Sequence, residues 1–107
     1  MSSFDKRQEG FEKKFALDEE QKFKAEARRN KLLGLWAAEK LGLTGDAATA
    51  YSKEVVAADF EEAGDQDVEN KVVKDFAAKG VAVTAAEVRV KMDELMALAA
   101  AQVKAGT

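Results

Sequence analysis

Apolar residues recur along most of this chain at the three- and four-residue intervals of an α-helix. In the first such segment, Leu32, Leu33 and Trp36 share one face of a helical wheel, and Leu35 and Leu41 widen that face. Runs that alternate between polar and apolar residues, as in a half-buried strand, are lacking. Three later segments carry similar stripes, formed by Ala48, Tyr51, Val55 and Ala58, then by Val68, Val72 and Phe76, and then by Val88, Met92, Leu95, Met96, Ala99 and Val103.

This spacing predicts four helices, at residues 19–41, 46–63, 66–79 and 85–105, joined by short connections. Short connections place consecutive helices side by side. The predicted fold class is therefore all-α, with residues 19–107 forming one four-helix bundle. The length of 107 residues agrees with a single domain.

The ends of the predicted helices carry the residues expected there. In "VTAAEV", Thr84 is placed as an N-cap and Glu87, three residues later, completes a capping box. Val83 and Val88 are placed to form a hydrophobic staple around that box. Glycine, which is favoured in the left-handed position after a helix, follows each helical run, at Gly42, Gly64, Gly80 and Gly106.

The N-terminal segment, residues 1–18, has an apolar stripe of its own. Phe4, Phe11 and Phe15 fall within roughly 40° of one another on a helical wheel, and charged residues replace the stripe further along. Gly10 lies in the middle, and isolated helices this short are marginal in water. We expect a mobile amphipathic arm that orders when a partner covers its phenylalanines, or that packs back on the bundle.

Composition excludes several classes of function. Cysteine and histidine are both absent, which removes disulfides, thiolate or imidazole metal ligands and every nucleophile–histidine pair. The glycine-rich loops that cradle nucleotide phosphates are missing as well. We therefore predict no catalytic residue, no metal and no cofactor, so that the protein is not an enzyme.

Charge and hydropathy narrow the choice of partners. Residues 1–31 hold nine basic against seven acidic side chains, whereas the rest of the chain holds eight against thirteen. An acidic body is poorly suited to nucleic acid. The start "MSSFDKRQEG" has no apolar run, and no stretch approaches the roughly 20 apolar residues of a membrane span. These features predict a cytoplasmic protein that does not insert into the membrane.

An acidic stretch, "DFEEAGDQDVE" at residues 59–69, invites comparison with a calcium loop. In that register, however, the sixth residue is Asn70 rather than glycine, and the twelfth is Phe76 rather than glutamate. Asp65 as a helix N-cap and Asp67 in the first turn account for these carboxylates.

A basic block, Arg28, Arg29 and Lys31, passes directly into the apolar run from Leu32 to Trp36. Large apolar residues at helical spacing are typical of a core, so that run is predicted to face inward. The basic side chains are either solvated or placed for charged contacts with whatever the arm enters. Gly34 costs about 1 kcal/mol relative to alanine, unless a close helix approach requires it.

Two long stretches carry a resemblance to a known family. "FKAEARRNKLLGLWAAEKLG" (residues 23–42) and "GDAATAYSKEVVAADFEEAGDQDV" (residues 45–68) are similar to the zeta-subunit family of alphaproteobacteria. These are small ATPase-inhibitor proteins of the F-type ATP synthase. The similarity spans essentially the whole chain, although residues 81–107 match in length and helical character more than in letters.

This resemblance implies a four-helix bundle that binds the catalytic head of the ATP synthase, peripheral to the inner membrane. The bundle would attach beside the rotor stalk and direct the arm. The arm would wedge into a catalytic interface between the large alternating subunits and block rotation in the hydrolytic direction. The residues implied as its contacts are the anchors Phe4, Phe11 and Phe15 and a charged rim of Lys6, Arg7, Lys13 and Lys14, with Arg28, Arg29 and Lys31 at the joint between bundle and arm.

Three alternatives remain open at the level of sequence. A family member could bind the ATPase without inhibiting it, and Gly10 interrupts the arm in a way that would weaken inhibition. The bundle could bind ATP or ADP weakly through clustered lysine and arginine side chains. A nucleic-acid binder using the Arg28–Lys31 block would show steeply salt-dependent binding.

Overall fold

The computed structural model describes residues 17–59 and 65–106, which form four α-helices. They are α1 (Glu19–Lys40), α2 (Gly45–Ala58), α3 (Gln66–Lys79) and α4 (Ala85–Ala105). The predicted all-α four-helix bundle is confirmed for this part of the chain. The arm lies outside the described residues, apart from Leu17 and Asp18, and so does Gly64, the glycine expected after α2.

The start of α1 is fixed by a capping box at Asp18. The Asp18 carboxylate accepts a hydrogen bond from the Gln21 N–H at 2.7 Å, and the Gln21 side chain accepts one from the Asp18 N–H at 3.2 Å. These two bonds satisfy backbone donors that the first helical turn leaves free. The helix therefore begins at the predicted residue.

Other helix ends follow the local signals closely. Thr84 Oγ1 accepts a hydrogen bond from the Glu87 N–H at 3.2 Å, which confirms Thr84 as the N-cap of α4. After α3, Gly80 takes a left-handed conformation with φ of 73°, and the Val81 N–H reaches back to the Phe76 carbonyl at 2.9 Å. That backbone bond is the signature of a Schellman motif, which glycine permits at no steric cost.

The predicted end of α2 at residue 63 is wrong, because the helix ends at Ala58. The Asp59 N–H bonds to the Val56 carbonyl at 3.3 Å. This bond spans three residues instead of four, and such tightening is common in a final helical turn.

The core lies where α1 packs against α2 and α4, with α3 closing the remaining side. Trp36 lies at its edge, half-buried, with its ring packed edge-on against Phe76 at a centroid distance of 5.7 Å. Leu35 is 39% exposed, so its predicted place inside the fold is wrong. The largest fully buried side chains are Phe76, Leu33, Met92, Val55, Val68, Val72 and Val88.

The contact between α1 and α2 is close at Gly34. A Cβ atom at this position would lie 2.5 Å from the Ser52 Cα and 2.9 Å from the Ser52 Cβ. Real Cβ atoms do not approach other carbons so closely. The close helix approach that would justify a glycine inside a helix is therefore present.

Candidate functional site

The basic block of α1 splits into two surfaces. Successive residues of an α-helix are about 100° apart, so Arg28 and Arg29 cannot share a direction. Arg28 and Lys31 lie on the outer face of α1, whereas Arg29 is only 6% exposed. Arg29 is therefore buried, and the interpretation of this side chain as solvated is wrong.

Arg29 occupies a core position because of its register. Ala25, Arg29 and Leu33 are spaced by four residues, and Ala25 and Leu33 are fully buried. The Arg29 guanidinium donates from Nε to the Asn30 Oδ1 at 3.0 Å and from Nη1 to the Asp65 Oδ2 at 3.4 Å. A buried charge requires such partners, since an unpaired one is costly.

Asp65 joins Arg29 to a second arginine, Arg89 of α4. Arg89 donates from Nη1 and Nη2 to the two Asp65 carboxylate oxygens at 2.8 and 3.3 Å, and from Nε to the Glu69 Oε1 at 2.9 Å. We call Arg29, Asp65, Glu69 and Arg89 the ion cluster. It connects α1, the start of α3 and α4. Asp65 lies at the N-cap position of α3, as predicted, but its side chain makes no capping hydrogen bond and its carboxylate bonds to the arginines instead.

The ion cluster lowers the pKa of Asp65 below its usual range. The hydrogen bonds from Arg89 are the main cause, burial opposes them, and the charges of Arg89 and Arg29 add to the lowering. Both effects of the arginines favour the ionised carboxylate. Because the folded pKa is depressed, the contribution of Asp65 to stability is present above its unfolded pKa and is lost as the pH falls through its folded pKa.

We expect Asp65→Asn to reduce the free energy of unfolding at pH 7, and the difference from the native protein to shrink as the pH falls below about 4. The loss at neutral pH should be modest, because the Asp65 side chain is 39% exposed and solvent screens the pair. Urea unfolding of the native protein and the variant, at pH 7 and at a pH below about 4, measures this difference in the free energy of unfolding. Asp93→Asn, at an exposed position of α4, is the control. An unchanged difference across this range would contradict the linkage.

On the outer face of α1 lies an open hollow of about 740 Å³, bordered by Val56 of α2 and Val103 of α4. We call it the α1 hollow. Its apolar side chains include Phe23, which is 60% exposed and is the most exposed large hydrophobic residue of the described chain. Its basic side chains come from one stripe of α1, formed by Lys24, Arg28 and Lys31.

Of the basic residues of the α1 hollow, Arg28 and Lys31 were predicted from the sequence as contact residues, whereas Lys24 and the apolar residues of the hollow were missed. Phe23 lies off the stripe of Leu33 and Trp36 and has charged neighbours in the sequence. An isolated apolar residue of this kind was the available signal for an exposed apolar surface. The place of Val56 and Val103 beside α1 depends on how three helices pack, so no local pattern indicates it.

No three carboxylate, histidine or cysteine side chains among residues 17–59 and 65–106 are grouped so as to hold a metal ion. None of the described helices is long and apolar enough to cross a membrane. The predicted contacts of the arm lie outside the described residues, and they are Phe4, Lys6, Arg7, Phe11, Lys13, Lys14 and Phe15.

Comparison with known proteins bears on the whole chain. The profile of the family described as ATPase inhibitor subunit zeta matches residues 1–102. A protein solved in solution by NMR is 58% identical to this chain and superimposes with a TM-score of 0.69; the match covers 79% of this chain and 96% of that one. The chain matches no curated protein.

Proposed function

Because this chain belongs to the ATPase inhibitor subunit zeta family, we propose that it binds the catalytic head of the F-type ATP synthase and blocks ATP hydrolysis there. The protein would lie in the cytoplasm, peripheral to the inner membrane through that complex. Its role would be to conserve ATP by stopping reverse rotation when the proton gradient falls. The observation that carries the proposal is the family match, which includes both the N-terminal segment and the bundle.

The inhibitory element that we propose is the arm, residues 1–18. Its stripe of Phe4, Phe11 and Phe15 suits the recognition mode in which an amphipathic helix enters a protein groove. Large aromatic side chains are well suited to anchor such an interface. The arm would wedge between the large subunits, with Lys6, Arg7, Lys13 and Lys14 forming charged contacts around those anchors.

The bundle would hold the arm beside its target. The arm leads directly into α1, a helix of 22 residues that begins after the Asp18 cap and packs mainly against α2 and α4. Arg28 and Lys31, on the outer face of α1, would contact the partner beside the point of entry. Arg29 would act indirectly by fixing α1 to α3 through the ion cluster.

We expect Phe4→Ala, Phe11→Ala and Phe15→Ala together to raise the half-inhibitory concentration at least about a hundredfold. A hot-spot side chain contributes about 2 kcal/mol or more, and about 1.4 kcal/mol is a factor of ten. The measurement is steady-state ATP hydrolysis by the purified catalytic head from the same organism. The matched control replaces three exposed apolar residues of the bundle by alanine, at Leu35, Val90 and Leu98.

A chain that starts at Leu17, and so keeps the Asp18 cap, separates the two parts of the proposal. We expect it to bind the ATPase without inhibiting hydrolysis. Inhibition as strong as that of the full chain would move the active surface onto the bundle. If the full chain binds and leaves hydrolysis unchanged, the protein is a non-inhibitory member of its family and the proposed mechanism is wrong.

A further inference from the structure

The α1 hollow presents two stripes that run side by side along α1. Phe23 and Ala27 form an apolar stripe, and the basic stripe of Lys24, Arg28 and Lys31 lies about 90° further round the helix, at about 100° per residue. Lys24 is paired only with Glu20 among the ion pairs of the described residues, in an exposed contact that contributes little. Arg28 also donates a hydrogen bond from Nη1 to Oε1 of Gln102, a neutral side chain of α4, at 3.4 Å. This surface therefore offers apolar area and positive charge together.

The N-terminal segment carries the complementary pair of stripes. Treated as a helix, residues 4–15 place their three phenylalanines on one stripe, and Asp5, Glu9 and Glu12 fall on a second stripe about 110° further round in the same sense. When two helices pack antiparallel, stripes that follow in the same sense come to lie beside each other. Parallel packing would set the acidic stripe against the opposite side.

The two charged stripes also agree in register to within one residue. The acidic residues are spaced by four and then three positions along the chain, whereas an antiparallel partner meets the basic residues of α1, from Lys31 to Lys24, at intervals of three and then four. Residues of antiparallel helices lie level when their numbers have a constant sum, since both helices rise by about 1.5 Å per residue. The closest pairs are Glu12 with Lys24 and Asp5 with Lys31, whose numbers both sum to 36, and Glu9 with Arg28, whose sum of 37 displaces them by one residue, about 1.5 Å.

The connection has the required length. In this register the chain must reverse direction near residue 18, and α1 begins at Glu19 behind the Asp18 cap. The same register sets Phe15 near Phe23 and Phe11 near Ala27, along the apolar stripe. We propose that, in the free protein, residues 1–16 fold back as a helix antiparallel to α1 and cover the α1 hollow.

This docked state has a consequence that rests on the proposed function. A segment that covers the α1 hollow with its phenylalanines cannot present them to the ATPase, so docking would compete with inhibition. If the segment is docked nine-tenths of the time, release would strengthen inhibition roughly tenfold. Docking itself does not depend on the ATPase and is tested without it.

The test uses a nitroxide label on a single cysteine, Ser3→Cys, because the chain has no other cysteine. Docking sets residue 3 level with Leu33 and Gly34 at the middle of α1, so the label should broaden the amide signals of Lys31 and Leu35. Broadening that is spread evenly, or confined to the start of α1, would overturn the proposal.

Charge reversal then tests the register. We expect Lys24→Glu with Lys31→Glu to abolish the broadening, Asp5→Lys with Glu12→Lys to do the same, and all four changes together to restore it. The matched control, Lys74→Glu with Lys79→Glu, reverses two exposed lysines of α3 and should leave the broadening in place. Failure of the fourfold variant to recover would overturn the proposed pairing.

Two further measurements separate the remaining outcomes. The first mixes ¹⁵N protein that carries no nitroxide with ¹⁴N protein that carries it. Broadening of the ¹⁵N signals would then show that the N-terminal segment of a second copy covers the α1 hollow, and docking within one chain would be wrong. In the hydrolysis assay, Lys24→Glu should inhibit at a concentration up to about tenfold lower than the native chain. If Lys24→Glu releases the segment without that gain, the competition is wrong; if the full chain never inhibits, the proposed function fails, and the nitroxide result still decides the docking.

Discussion

Replacement of Phe76 by alanine is expected to lower the free energy of unfolding by about 3–5 kcal/mol. Phe76 is fully buried on α3 and is the largest fully buried side chain of the described core. Its loss would leave a cavity that the surrounding helices fill only in part. It would also remove the edge-on contact with Trp36, and such aromatic pairs contribute about 0.5–1.5 kcal/mol beyond the buried area.

Urea unfolding followed by far-ultraviolet circular dichroism measures this loss, and the fluorescence of Trp36, the only tryptophan, reports on the same contact. Val90→Ala is the control, because Val90 is 57% exposed and its removal should change stability by less than about 0.5 kcal/mol. Phe76→Leu, which keeps most of the apolar volume, should cost less than Phe76→Ala. Equal effects of Phe76→Ala and Val90→Ala would contradict the packing of α3.

Gly34→Ala is expected to lower the free energy of unfolding by about 1–3 kcal/mol, the usual cost of inserting a methyl group where there is no room. On an exposed helix surface the same change would be stabilising by about 1 kcal/mol, because alanine is the better helix former. The sign is reversed here since the nearest neighbour is the Ser52 Cα, a backbone atom that cannot rotate away.

The same unfolding experiment decides the sign, with Glu39→Ala at an exposed site of α1 as the control. Gly34→Ala combined with Ser52→Gly removes the Ser52 Cβ but leaves its Cα in place, so we expect incomplete rescue. A stabilising Gly34→Ala would show that α1 and α2 are further apart than described.

Particular residues show which helix bounds could be predicted from the sequence and which could not. The bounds of α3 and α4 were predicted to the residue, and α1 to within one, because their signals are local: a period of 3.6, Thr84 at an N-cap and Gly80 in a left-handed turn. The end of α2 was missed because the apolar pattern continues past Ala58. The family resemblance was also readable from the letters alone, and the family match confirms it.

The candidate surfaces depended on packing instead. Leu35 and Arg29 show the limit: the leucine is exposed and the arginine buried, against the expectation for each residue type. Asp65 illustrates it too, since its choice between capping α3 and pairing with Arg89 depends on a residue 24 positions away.

The sequence by itself therefore determined the helices, their order and the family, because hydrogen bonds within a helix and caps at its ends join residues that are near neighbours in the chain. Only the tertiary structure decided which face of each helix is covered, why Gly34 must be glycine, and how Phe23, Val56 and Val103 come to surround one hollow. The physical reason is that rotation and approach of packed helices are set by contacts between distant segments, which compete at each position with the preference of the single residue.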